Sequence, residues 1–193
     1  KKIKKLLNKK ILGKIKFIEI NRKNLGPIRN EVSAHIDLGS HDLSILLFLF
    51  DKNVKLLNIE TKKILKKSVS DISTMNLKIG NILCDINSSW LNPTKERRLL
   101  IIGSKKMLIF DEMETVNKLK IYNKYAYYPE ISEFKNNYIS NKARIYKGKT
   151  KNVFVRETDT LKNEITYFAR KCKQKSQPIT NGEFCLKILK LIG

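Results

Sequence analysis

Paired metal ligands are missing from this chain. Its 193 residues include three cysteines and two histidines. Cys84, Cys172 and Cys185 have no metal-ligand spacing, and His35 and His41 alone do not make up a zinc site, so no metal is expected. The odd cysteine count, with nothing to mark the chain as secreted, points to a reduced, cytoplasmic protein with buried thiols. The eight glycines never form G-x-G-x-x-G or a phosphate-binding P-loop, and no Ser-centred G-x-S-x-G occurs. No apolar run approaches the ~20 residues of a membrane span, so no membrane partner is expected. The longest run, residues 43–50, lies between Asp42 and Asp51 and suits a buried helix. The basic N-terminus is followed by apolar residues broken up by Lys and Asn, which is no signal peptide. No Met opens the chain, and Lys1-Lys2-Ile3 reads like the middle of a helix, so a fragment is expected. Repeats and low-complexity tracts are absent.

Acidic residues are also few: 18 Asp and Glu face 40 Lys and Arg, a formal net charge of +22. A charge of that size attracts nucleic acid or an anionic surface. Only 7 of the 40 basic residues are Arg, however, and 33 are Lys. Base edges, and often phosphates, are read by forked guanidinium contacts that lysine does not make. The lysines are scattered along the whole chain, and excess Lys, Asn and Ile together is what AT-rich coding produces. The reading is a solvated basic surface, with nucleic acid disfavoured as a partner. A basic rim around an anionic substrate is the functional use left open.

Apolar spacing lays out the elements. Ile3, Leu6, Leu7 and Ile11 recur at helical intervals, and Gly13 fits a helix stop. Residues 14–22 alternate as a strand, 24–30 with Gly26-Pro27 form a loop, and 35–50 form a helix with Leu43, Leu46, Leu47 and Phe50 on one face. Short strands follow at 54–59, 71–79, 82–90, 97–103, 106–110 and 118–122. Turn-like pairs, among them Gly80-Asn81, Asn92-Pro93 and Gly103-Ser104, separate several of them, as in a mostly antiparallel sheet. Residues 123–141 read as a long loop and 143–146 as an edge strand. Helices are predicted at 160–173, capped by Asp159 or Thr160, and at 183–192. The order defines an α+β fold, a large open, mainly antiparallel sheet with helices on one face. The other face then needs a cover.

Three local features carry candidate chemistry. Asp37 and His41 stand one helical turn apart at a helix start and project on one face. An imidazole is the usual proton carrier near neutral pH, and a nearby carboxylate orients it and holds its charged form. By spacing alone the pair reads more readily as a surface or capping histidine. Residues 88–98 run as a strand end that turns through Asn92-Pro93 into another strand. There Lys95, Arg97 and Arg98 offer positive charge, and Trp90 either packs on a sugar ring or plugs an ordinary hairpin. Arg29, in the Gly-Pro loop, is placed to clamp an anion.

Taken in order, these segments resemble the Gfo/Idh/MocA oxidoreductases, the family of glucose–fructose oxidoreductase, inositol dehydrogenase and a rhizopine-catabolism protein. Asp37 to His41 is similar to the family's D-x-x-x-H element. Gly26-Pro27-Ile28-Arg29, the stretch from Asp37 to Leu46, Ser89-Trp90-Leu91-Asn92-Pro93 with Lys95 and Arg97-Arg98, Ile102 to Met107, and Pro178 to Glu183 resemble a branch acting on nucleotide-linked sugars. The resemblance implies that residues 1–193 are a single C-terminal substrate and oligomerisation domain of a truncated two-domain enzyme. On that resemblance the N-terminal Rossmann domain, with its Gly-rich loop and Glu-Lys-Pro element, is expected to be absent. The implied activity is NAD(P)-dependent oxidation of a hydroxyl on a sugar or nucleotide sugar, with NAD or NADP bound mainly by the absent domain. His41 is then the catalytic acid/base and Asp37 its orienting partner. Arg29, Asn92 and Lys95 become substrate contacts, and Trp90 mainly packs. The chain alone is expected to be inactive, and homo-oligomers are expected through the open sheet face. Two other readings stand beside this one: a basic nucleic-acid-binding domain, and a non-catalytic sugar-binding or oligomerisation module.

Overall fold

A computed structural model describes residues 1–50, 54–65, 68–128 and 142–193. Along the chain run α1 (Lys2–Asn8), β1 (Ile15–Leu25), a π turn (His35–Gly39), α2 (Ser40–Leu49), β2 (Val54–Lys62), β3 (Ile72–Ile79) and β4 (Ile82–Ser89). Then come β5 (Leu91–Gly103), β6 (Met107–Asp111), β7 (Leu119–Tyr127), β8 (Arg144–Val153), α3 (Thr160–Lys173) and α4 (Gly182–Ile192). The eight strands form one open sheet in the order β2-β3-β4-β1-β5-β6-β7-β8. Neighbours are antiparallel except β1 and β4, which run parallel.

Alternation sorts the strand residues onto two faces. One row of partners, Leu77, Cys84, Ile18, Ile101, Leu108 and Ile121, crosses six strands, and every member is buried. Two residues along, Met75, Ile86, Ile20, Leu99, Phe110 and Leu119 form a second apolar row. Ile3, Leu6 and Leu7 of α1, Leu43, Leu46 and Leu49 of α2, and Ile188 and Ile192 of α4 pack onto these rows. Side-chain spacing in the helices thus meets a two-residue period in the strands on a single face.

Helix α3 departs from this arrangement. It begins at the predicted cap, where the Asp159 side chain accepts from the Lys162 N–H at 2.9 Å, but none of its residues is buried. Its apolar stripe of Leu161, Ile165 and Phe168 is exposed at 65%, 60% and 60%. Amphipathic spacing decides that such a helix forms and leaves open what, if anything, covers it.

The predicted turn at Asn92-Pro93 is also different. The break falls at Trp90, where the chain passes from β4 to β5 across the end of β1. Regular β1–β5 pairing runs from Ile102 to Glu96, then jumps from Lys23↔Glu96 to Leu25↔Leu91. Residues 92–95 therefore bulge out of β5 opposite Asn24. A bulge is where a strand tolerates proline, because no ladder N–H is needed there. Strand β7 also extends to Tyr127, into the predicted loop at 123–141, and the rest of that loop from 129 lies outside the described residues. Only one thiol is buried as expected. Cys84 sits in the core, where burial pushes it well above the ordinary thiol range, whereas Cys172 and Cys185 are exposed. All three cysteines are free.

Candidate functional site

The third row of strand partners on the helix-covered face turns polar. It reads Ser73, Ser88, Arg22 and Arg97 across β3, β4, β1 and β5. Glu112 follows, its N–H donating to the Arg97 carbonyl at 2.9 Å. This row lies at the end of the sheet where α2 begins. Alternation predicts the burial: after Ile18 and Ile20, position 22 faces the core, and a charged residue there demands a partner.

That partner is Asp42. Arg22 donates from Nε to Oδ1 and Oδ2 at 3.0 and 3.1 Å and from Nη2 to Oδ1 at 2.7 Å. The pair is almost wholly enclosed, with 13% of the Arg22 side chain and 1% of the Asp42 side chain exposed. Burial pushes the Asp42 carboxyl above its ordinary range, and the Arg22 hydrogen bonds and charge pull against it. Neither residue stood among the candidates read from the sequence. The available signals were the parity of Arg22 and the place of Asp42 on the buried stripe with Leu46 and Leu49.

Asp37 sits in the π turn, a distortion often found at functional sites. The turn is docked on the entry to β3, where Ala34 N–H donates to Ser70 O at 2.9 Å and Ser70 N–H to Ser33 Oγ at 3.2 Å. The Trp90 indole, 1% exposed, donates to Asp37 Oδ2 at 3.2 Å. Arg29 Nε stands 3.7 Å from Asp37 Oδ1, on a side chain half exposed. The structure thus brings Arg29, Asp37 and Trp90 together. It gives Trp90 a polar tie as well as a packing role.

His41 lies one turn on and is exposed. Among the described residues its ring makes no hydrogen bond or ion pair, and none joins it to Asp37. Asn92 lies on the bulge that follows Trp90, and its amide Nδ2 donates to Thr94 O at 2.6 Å. Lys95, on the same bulge, is exposed. The other histidine, His35, has a buried Nδ1 without a partner, and burial lowers its affinity for a proton. A cleft of about 980 Å³ lies at the opposite end of the sheet, between Leu7, Gly13, Phe50, Ile79 and Ser104. The Asp37–His41 end is a rim that carries the exposed side chains of Arg29 and His41. No group of three or more His, Cys, Asp and Glu among the described residues is arranged to hold a metal.

The fold is that of a dehydrogenase C-terminal domain. The sequence pattern of the Gfo/Idh/MocA C-terminal domain matches residues 1–109, and the chain belongs to that family. No curated protein matches it in sequence. Among solved structures, it resembles UDP-N-acetylglucosamine 3-dehydrogenase from Acidithiobacillus ferrooxidans, with TM-score 0.69, 17% identity, and coverage of 97% of this chain and 56% of the other. A 3-ketoreductase from Actinomadura kijaniata, solved with TDP-benzene and NADP, gives 0.71, 11%, 98% and 54%. An aldose–aldose oxidoreductase from Caulobacter crescentus, solved with glycerol, gives 0.70, 12%, 98% and 55%. The chain thus spans little more than half the length of these proteins.

Proposed function

We propose that residues 1–193 are the substrate-side domain of a two-lobed NAD(P)-dependent oxidoreductase that oxidises a hydroxyl of a sugar, nucleotide-linked in the natural substrate. The carrying observation is His41, an exposed, unpaired imidazole at this rim, flanked by side chains tied back to the sheet. The described strand–loop–helix passages hold no Gly-rich turn that lets a backbone approach a pyrophosphate. The dinucleotide is therefore assigned to a second lobe closing on this rim. The nicotinamide, when bound there, supplies the hydride acceptor. The chain's own part is the proton: His41 takes it from the sugar hydroxyl, while Arg29 and Lys95 present positive charge to a diphosphate. Asn92 reaches substrate through its Oδ1 acceptor, its Nδ2 being held by Thr94. Three free thiols fit a reducing, cytoplasmic setting, and no helix among the described residues is long and apolar enough to cross a membrane. The second sheet face carries Phe17, Leu100, Ile102 and Ile109 among polar residues such as Glu19 and Asp85, and no helix among the described residues packs on it, which supports association with a second copy.

The test is reconstitution. The chain alone, with nucleotide sugars and NAD or NADP, is expected to give no turnover. Addition or fusion of a Rossmann lobe from the same family is expected to give reduced nicotinamide, followed by its absorbance. A folded fusion that binds the dinucleotide and stays silent with every sugar tried favours the non-catalytic module.

One observation supports a nucleic-acid reading. At the far end of the sheet, Tyr125 stacks on Tyr146 with centroids 5.0 Å apart, and Lys124 pairs with Lys147 beside them. Stacked aromatics among lysines are what single strands bind. On the dehydrogenase reading, oligonucleotide retention on filters is weak and vanishes by physiological salt. Tight retention there, lost on Tyr125→Ala, favours nucleic acid.

A further inference from the structure

We infer that the bare stripe of α3 is a docking surface for the cofactor-binding lobe. The inference rests on the two-lobed reading above and names a second surface, beyond the His41 rim, on which that lobe closes.

Leu161, Ile165, Phe168 and Cys172 follow one another at helical spacing, and all four are exposed. The side of α3 that leans on the chain is a different one. Along the helix only Tyr167 and Lys171, one turn apart, are half-buried. The Tyr167 hydroxyl accepts from the Ile179 N–H at 2.9 Å, in the loop before α4. With 3.6 residues per turn, the stripe lies roughly a third of a turn from that contact. It therefore faces away from its own support.

The start of α3 fixes which body can reach it. Strand β8 leaves β7 at Val153↔Leu119, and the chain carries on past the sheet at the end that bears Arg22, Arg97 and Glu112. There Lys118 Nζ holds Glu157 Oε1 at 2.9 Å, and a cleft between Phe110, Glu112, Lys118 and Thr160 marks the first turn of α3. That is the end of the sheet where α2 begins and His41 stands. From the β8 edge the chain then passes to α4, which packs beside α2 and against β2, the other edge strand. A lobe closing on the His41 rim thus meets α3 in the same movement.

Size and charge decide against a second copy. A stable interface covers about 800 Å² on each partner, and four side chains on one helix of 14 residues supply much less. Two such helices also bring Lys162, Arg170, Lys171 and Lys173 of each copy together, against a single Glu164. As part of a larger contact with a lobe, the stripe needs no such area of its own. The chain spans 54–56% of the solved dehydrogenases and reductases it resembles, and what remains of each is a body large enough to cover a helix.

Cys172 is the probe. It lies on the stripe and is free and exposed; Cys185 on α4 is exposed as well, and Cys84 is buried. Alkylation by iodoacetamide, followed site by site by mass spectrometry, is compared in the 193-residue chain and in its fusion to a family Rossmann lobe shown to bind dinucleotide. The chain alone is expected to react at Cys172 and Cys185. In the fusion the Cys172 rate is expected to fall at least about tenfold, because a thiol must be reached to be attacked, with Cys185 as the reference. Ile165→Ser with Phe168→Ser is expected to leave the urea midpoint of the chain alone in place and to return Cys172 of the fusion to the free rate. Equal Cys172 rates in the chain and the fusion overturn the inference. So does protection that appears in the chain alone as its concentration rises, the mark of a second copy, and so does a lowered midpoint of the chain alone in the double variant. Turnover separates this inference from the reading it rests on. Protection without turnover keeps the docking surface and loses the dehydrogenase, and turnover with an open Cys172 does the reverse.

Discussion

His41→Ala in a reconstituted two-lobed enzyme is expected to lower kcat by about 100-fold or more, the usual contribution of a positioned acid or base. The size follows from the lack of a substitute. Near the rim, Asp37 is engaged by Trp90 and Arg29 and Asp42 by Arg22. His35 has its Nδ1 enclosed. A hydroxyl losing hydride from its own carbon must also lose its proton, and none of Asp37, Asp42 and His35 is free to take it in place of His41. KM is expected to change much less than kcat, because Arg29 and Lys95 keep their places. Steady-state kinetics on the variant measure both. Turnover near wild type takes the proton-carrier role away from His41.

The largest effect on stability is expected at the buried pair. Asp42→Leu leaves the Arg22 guanidinium, 13% exposed, without its carboxylate, and breaking such a pair from one side costs about 3–5 kcal/mol. Arg22→Met together with Asp42→Leu removes both charges, and is expected to be at least as stable as the parent. Urea unfolding of the parent, the single and the double variant closes the comparison. An additive double variant, worse than either single one, would show that the pair is a net source of stability and not mainly a device of position.

How much of this was legible in the sequence differs from element to element. Helix α3 was readable to its boundaries, because an Asp159 cap and a helical stripe are local signals. The strands were readable because alternation is local too. Asp37, His41 and Arg29 became candidates through an ordered family resemblance. Where those residues point was not. Spacing put Asp37 and His41 on one face and the resemblance made them partners, but Asp37 turns to an indole that arrives from the β4–β5 junction. Asn92-Pro93 looked like a turn for a similar reason: the dipeptide carries the same φ constraint and missing N–H in a bulge as in a hairpin, and only the register of β1 tells them apart.

Determined by the sequence alone were the α+β class, the place of nearly every described element, the family, and the short stretch of helix that bears the imidazole. The class and the elements follow from neighbours within a few residues, where propensity, capping and alternation act, and the family from the ordered resemblance of motifs along the chain. The tertiary structure alone decided the parallel β1–β4 pairing, the bulge at residues 92–95, the bare face of α3, and the meeting of Arg22 with Asp42. These depend on which strand lies beside which and in what register, and that is set by burying the two apolar rows against three helices.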